Sequence, residues 1–156
     1  MKNDSIIMEN LHRFYYKEGE LYYAVAVGRA RVDDVAGWDA GRYRVVAIQW
    51  KNLLVHRIIF ALHHGYLPEL IDHIDRNPYN NRIENLRPAT NAVNALNRKL
   101  DSRNKSGITG VRRYRQKWRA QINIDGKLVH LGTYNTPEEA EQVYLKERDK
   151  IMSRYY

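Results

Sequence analysis

The chain has 156 residues, 44% hydrophobic and 28% charged, which suits one ordinary domain or two small ones. It has no cysteine, which excludes disulfides, Cys-ligated zinc and thiol catalysis. Its formal net charge of +8, with a pI near 9.7, turns attention to polyanionic partners. The N-terminal MKNDSIIMEN lacks the apolar core and small-residue cleavage site of a signal peptide, and no apolar run approaches membrane-spanning length. The expectation is a soluble cytoplasmic protein without a membrane partner.

From Phe14 to Val27 two apolar runs flank Lys17-Glu18-Gly19-Glu20, a hairpin signal. Residues 28–41 are rich in Gly, Asp and Ala and read as loop. Arg42 to Trp50 is rich in β-branched and aromatic residues and reads as a strand. The following LLVHRIIFALHHG suits a mostly buried helix closed by Gly65, with Pro68 beyond. It carries His56, His63 and His64, which are more often packed or exposed structural histidines than ligands.

The stretch from Ile71 to Leu96, IDHIDRNPYNNRIENLRPATNAVNAL, concentrates chemistry-bearing residues. Leu70 to Ile74 predicts a short strand carrying Asp72 and His73, whose side chains alternate to opposite faces unless the strand ends or bulges there. Asn77 to Asn81 is a strong turn signal, and Ile83 to Arg87 can return as a strand. Thr90 is a fair N-cap for a helix with an apolar stripe at Ala92, Val93, Ala95, Leu96 and Leu100. Asn91, Asn94 and Asn97 sit three apart on it. Asparagine amides compete for backbone groups, so their repetition inside a helix points to a site.

Residues 101–106 are polar and predict a linker. A second unit follows. Gly110 to Tyr114 is a short strand. Trp118, Ala120, Ile122 and Ile124 alternate with Arg119, Gln121 and Asn123. Asp125-Gly126 suits a two-residue turn, and Leu128 to Leu131 returns with Val129 and Leu131 inward and His130 outward. Thr136-Pro137-Glu138-Glu139 has the form of a helix start, with Thr as N-cap and Glu three residues on. A three-stranded antiparallel sheet with one covering helix is expected. Between Arg98 and Lys127 ten Lys/Arg face two Asp, which accounts for the whole charge excess. Positive charge clustered in this way is the footprint of nucleic-acid binding, against the blander reading of a solvated basic face.

Phosphodiester hydrolysis needs a general base for water and charge stabilisation at the leaving oxygen. His73 suits the first role, and the oxygens of Asp72 and Asn94 suit a hard divalent cation. An Asp-His dipeptide is common, and the plain alternative is a strand-end polar pair with helix-capping asparagines. The spacing of VHRIIFALHHG, IDHIDRNPYNNRIENLR and ATNAVNALN resembles the HNH (ββα-metal) nucleases, in the branch whose last histidine is an asparagine and which includes phage and intron-encoded homing endonucleases. That resemblance implies His73 as general base, Asp72 and Asn94 as ligands of one Mg²⁺ or Mn²⁺, and Asn85 holding the loop that orients His73.

The segment SGITGVRRYRQKWRAQINIDGKLVHLGTYNTPEEA resembles the ethylene-response-factor (Apetala-type) DNA-binding domain of plant transcription factors, whose sheet lies in the major groove. Arg112 matches a contact arginine of that family. Gln121, Asn123 and His130 fall on contact positions with different residue types, so the plant proteins' sequence specificity does not carry over. With Arg113, Arg115, Lys117 and Arg119 these form the expected DNA-binding set. Outward Arg, Gln and Asn are also the side chains that read guanine and adenine edges. Trp118 is expected in the core.

The fold expected is α+β, with a nuclease domain over residues 1–100 (core 53–98), a linker over 101–106 and a DNA-binding domain over 107–156. The expected function is a metal-dependent endonuclease acting on double-stranded DNA and nicking as a monomer, with a monomer or weak dimer as the assembly, in a bacterial cell and with a phage as a candidate source. The rival is a non-enzymatic DNA-binding regulator on an inactive nuclease fold. An RNA substrate ranks lower, because the deep major groove of A-form RNA disfavours a sheet reader.

Overall fold

The computed structural model describes residues 2–97, 104, 106–124 and 126–154. The chain is α+β, as expected, and its internal contacts divide it into two units, residues 1–88 and residues 89–156. The expected linker at 101–106 lies mostly outside the described residues. No described helix is long and apolar enough to cross a membrane.

The first unit opens with a helix, α1 (Lys2–Glu9), where the sequence offered too few apolar residues to display a period. Its Ile6 and Ile7 enter the core, and Asp4 pairs with Arg57 at 2.8 Å. Strands β1 (Phe14–Lys17) and β2 (Glu20–Tyr23) form the expected hairpin. Glu18 and Gly19 both have positive φ, 51° and 92°, as the two-residue turn that matches strand twist requires.

The 28–41 stretch is mostly irregular, as expected, and contributes only a short β3 (Trp38–Asp39). Next comes β4 (Arg44–Ile48), and then a correction: Lys51–Leu54 is a strand, β5, and not the approach to a helix. Gln49 and Trp50 both take left-handed conformations, which fold the chain back so that Ile48 faces Lys51 and Val45 faces Leu54. An uninterrupted Leu-Leu-Val run fits a buried strand as well as a buried helix, so periodicity alone could not separate the two.

Helix α2 (Val55–His64) starts at the end of β5 and closes on Gly65 with φ 71°. Its Val55, Ile58, Ile59, Phe60 and Ala61 are buried among Val46, Ile48, Leu53 and Leu86. Strands β6 (Leu70–His73) and β7 (Leu86–Ala89) make a separate two-stranded sheet. The expected strand at Ile83 is corrected as well. Ile83–Asn85 is one 3₁₀ turn, and β7 begins only at Leu86.

In the second unit, α3 (Asn91–Leu96) is capped by Thr90, whose Oγ1 accepts the Val93 N–H at 3.3 Å. Residues 98–100 of the expected helix lie outside the described residues. Strands β8 (Val111–Tyr114), β9 (Lys117–Ile124) and β10 (Lys127–Tyr134) form the expected antiparallel sheet in the order β10-β9-β8. Strand β10 is longer than expected because a bulge between His130 and Gly132 lets pairing continue to Tyr134. Helix α4 (Pro137–Met152) begins with the expected reciprocal cap between Thr136 and Glu139. Leu96, Ile122, Tyr144 and Ile151 form one buried cluster, and Val111, Ala120 and Ala140 another.

Candidate active site

The loop between β6 and β7 is held by asparagines. The Asn85 Nδ2 donates to Asp75 Oδ1 at 2.9 Å and to the Asn80 carbonyl at 2.8 Å, and its Oδ1 accepts the Asp75 N–H at 2.9 Å. The Asn85 carbonyl also accepts the Ile74 N–H. Asp75 in turn accepts from the Asn77 N–H and the Asn80 amide. Burial pushes the Asp75 carboxyl up, but these hydrogen bonds outweigh it and hold its pKa below the ordinary value. The turn signal in NPYNN thus has a structural cause: the Asn77 Oδ1 accepts the Tyr79 N–H and the Asn80 Oδ1 the Arg82 N–H, each closing a local ring that a longer side chain could not.

This loop encloses His73, the last residue of β6, which is only 7% exposed. The residue touching the ring was not singled out in the sequence. It is Asn81, 2% exposed, whose Oδ1 lies 3.1 Å from His73 Nε2. With Oδ1 as acceptor, Nε2 carries the proton, and Nδ1 is the basic nitrogen of the neutral ring. The other two walls are His56, edge-on with ring centres 5.0 Å apart, and Tyr43, stacked at 6.3 Å. Asn81 sits in the same turn signal as Asn80, and only its burial distinguishes it.

The three helix histidines therefore separate. His63 bonds the Ile59 carbonyl and packs on Tyr16, and His64 packs on Phe60 and Tyr66. His56 alone reaches His73. Burial, then the His73 ring and Arg57, push its pKa from 6.5 down to about 3. The folded protein keeps His56 neutral while the unfolded chain gains a proton below pH ~6.5, so this group removes stability as pH falls from there toward about 3. Urea midpoints followed from pH 7 to pH 4 should fall less steeply in His56→Gln than in the wild type. Parallel slopes would show that His56 takes up no proton on unfolding.

Asp72 precedes His73 on β6 and is paired with the neighbouring strand. Arg87 of β7 donates to its Oδ2 from Nε at 3.0 Å and from Nη2 at 2.8 Å. Asp72 and His73 are thus neighbours in the chain with different side-chain environments. Asn94 lies on α3, in the second unit. Among the described residues no three His, Cys, Asp or Glu gather as a metal cluster. The donors expected from the sequence are one carboxylate and one amide, hard oxygens that fit Mg²⁺ or Mn²⁺ chemically.

In the second unit, pairing sorts the expected DNA-binding residues by face. Arg112 lies opposite Arg119, Tyr114 opposite Lys117, and His130 opposite Gln121. Asn123, paired with Leu128, shares that face. The Arg119 guanidinium lies 3.7 Å from the Tyr114 ring centre, which stiffens it. Arg113 is opposite Trp118, on the other face, with its guanidinium over the indole. Trp118 itself packs beside Val111, Ala120 and Ala140, in the core as expected. Arg115 occupies the left-handed position of the β8–β9 turn, with φ 57°.

The family described as HNH endonuclease matches residues 53–96, the segment that holds the end of β5, then α2, β6, the asparagine loop, β7 and α3. Protein 3.8 of Escherichia phage T7 is 31% identical over 98 residues, which cover 60% of this chain and 81% of that protein. The chain belongs to the family of this phage protein and carries an HNH endonuclease domain. A mimivirus protein described as an uncharacterized HNH endonuclease is 34% identical over 96 residues, 60% of this chain, which spans about half (50%) of that relative. No solved structure matches. His73, Asn81, Asn85 and Asp72 all fall inside the matched HNH segment, whereas the β8–β10 sheet lies beyond it.

Proposed function

We propose that this HNH protein is a metal-dependent endonuclease that nicks double-stranded DNA, with the duplex positioned by the β8–β10 sheet. The observation that carries the reading is His73, whose Nε2 faces Asn81 while the ring is walled by His56 and Tyr43 inside the HNH segment. A base held in one tautomer and one orientation needs no reorganisation when it takes a proton. In the proposed step the His73 imidazole accepts the proton of a water whose oxygen attacks phosphorus, and the ester P–O bond opposite breaks. Asn85 acts through the loop and Asn81 through the ring, both as positioning residues. Asp72 and Asn94 would hold Mg²⁺ or Mn²⁺, which would stabilise charge on the leaving oxygen. Arg87 fixes the Asp72 carboxylate and also lowers its net charge, so a bound cation has to share it.

One active site per chain cuts one strand per event, so a monomer in the bacterial cytoplasm would give nicks, and paired cuts would need a dimer or sequential events. The outward Arg112, Arg119, Gln121, Asn123 and His130, with Lys117 and Arg115 at the turn, would contact DNA in the manner of the plant domain that this segment resembles. Arg113, on the Trp118 face, would serve at the sheet's rim. Arg112→Ala should weaken duplex binding about tenfold and flatten its salt dependence by about one unit of slope. Unchanged affinity would count against a sheet seated in the groove.

The rival, a DNA-binding regulator with a silent nuclease fold, draws on the Asp72–Arg87 pair, which occupies a carboxylate the chemistry needs. Supercoiled plasmid incubated with Mg²⁺ or Mn²⁺, against the same mixture with EDTA, separates the two. Open circles formed only with metal support the enzyme, and linear product would indicate paired cuts. Tight duplex binding with no product under either condition supports the regulator.

A further inference from the structure

The β4–β5 hairpin turns on two residues that a tight turn of this kind disfavours. Gln49 and Trp50 have φ of 51° and 63°. The equivalent turn between β1 and β2 places Gly19 at the second position, where β4–β5 places Trp50. Bulky side chains rarely adopt this conformation, and Asn-Gly or Asp-Gly is the usual solution. Nor is the indole buried in compensation. Trp50 is exposed to 103% of its reference area, the most exposed of the large hydrophobic residues described. A large aromatic held at a strained backbone position and given wholly to solvent is accounted for by neither folding nor packing, and strain of this kind collects where a ligand is met.

The surroundings select the ligand. Gln49, Lys51 and Asn52 flank the indole and are exposed, offering amide and ammonium donors. No Asp or Glu occurs from Ala40 to Pro68, and the two carboxylates that meet β4, Asp39 and Glu20, are paired with Arg44 at its foot, away from the tip. Both feet of the hairpin reach the candidate active site. Tyr43, just before β4, and His56, two residues after β5, each pack on the His73 ring. The five residues of β4 carry the tip about 17 Å from the Tyr43 end. A duplex running along the hairpin would meet the indole roughly five base steps from a phosphate at His73.

We propose that Trp50 is a DNA wedge: its indole enters the base stack of duplex DNA beside the cleaved strand and sets the distance from that point to the cut. The inference rests on the nuclease reading and names a contact that neither the HNH match nor the basic sheet supplies. Exposed aromatics engage bases through any π-face, so the contact favours easily unstacked steps over a defined base.

The test uses the full chain in EDTA, so that binding is read without cleavage. The probe is a short labelled duplex with 2-aminopurine at one step, moved along the strand in a set of duplexes. Trp50→Gly should bind on the order of tenfold more weakly than wild type, with a thermal midpoint equal or higher because glycine suits the turn. Trp50→Phe should recover part of the affinity. Wild type should raise 2-aminopurine fluorescence at one or two steps, and Trp50→Gly at none. Equal affinity of wild type and Trp50→Gly overturns the proposal, as does lost affinity accompanied by a lower thermal midpoint. A change in oligomeric state with DNA binding intact overturns it in favour of a protein contact. If the wild type nicks plasmid with Mg²⁺ and Trp50→Gly binds and nicks equally, only the wedge fails. If the wild type neither binds nor nicks DNA, the nuclease reading fails with it.

Discussion

His73→Ala should abolish plasmid nicking while leaving duplex affinity within about twofold of wild type. A positioned general base contributes on the order of 10²–10⁴ in rate, and this ring is held by a buried amide and two aromatic walls, so no neighbour can take over its position. Affinity is expected to survive because the positive charge excess lies at residues 98–127, far along the chain from residue 73. The ring is 7% exposed, so its removal also leaves a cavity and some loss of stability. His73→Asn separates the two effects. It refills most of the space and restores a polar partner for Asn81, yet provides no basic nitrogen. Inactive His73→Asn with a near-native thermal midpoint assigns the loss to chemistry. Full activity in either variant removes the proposed mechanism.

Gly110→Ala should be among the most damaging small substitutions in the second unit. Gly110 has φ 75°, and a Cβ there would lie 2.1 Å and 2.2 Å from two ring atoms of Tyr144 and 2.8 Å from the Gln121 carbonyl oxygen. Tyr144 is 4% exposed and belongs to the cluster with Leu96, Ile122 and Ile151, so its ring has nowhere to withdraw. The Gln121 N–H donates to the Gly110 carbonyl at 2.8 Å, so the backbone cannot easily shift away. Overpacking and left-handed strain together predict a loss of about 3 kcal/mol. Urea unfolding should show the second unit melting early, with DNA affinity falling alongside. The cost in the Gly110→Ala/Tyr144→Ala double variant should be well below the sum of the two singles, since Tyr144→Ala removes the ring that the new methyl group strikes. Strict additivity would mean that the ring does not set the limit.

Much of the second unit could be read from the sequence because its signals are local. The alternation in WRAQINI, the Thr-Pro-Glu-Glu cap and the inward Trp118 each follow from a few neighbouring residues. The first unit hid more. Helix α1 is too short and polar to show a period, and β5 merges into α2 without a polar break. The Asp-His pair and the asparagine loop stood out by residue type, and Asn85 bonds Asp75 and the Asn80 carbonyl within that loop. The amide on the His73 ring is Asn81, and no spacing rule distinguishes it from Asn80 beside it. Long-range pairs were also out of reach. Nothing local says that Arg87 meets Asp72, or that His56 and Tyr43, 17 and 30 residues upstream, become the walls of the His73 ring.

The asparagine loop has one more consequence. Three of five bonds in it end on one carboxylate, Asp75, and the other two join amides, carbonyls and backbone N–H groups; every donor is a neutral amide. Bonds with uncharged donors contain no pair of opposite charges and are little altered by a change of counter-ion concentration, whereas exposed charge pairs are screened. On the proposed function, ionic attraction would serve capture and amide hydrogen bonds would shape the centre. Raising potassium chloride should raise the DNA concentration needed for half-maximal nicking and leave the rate at saturation nearly constant.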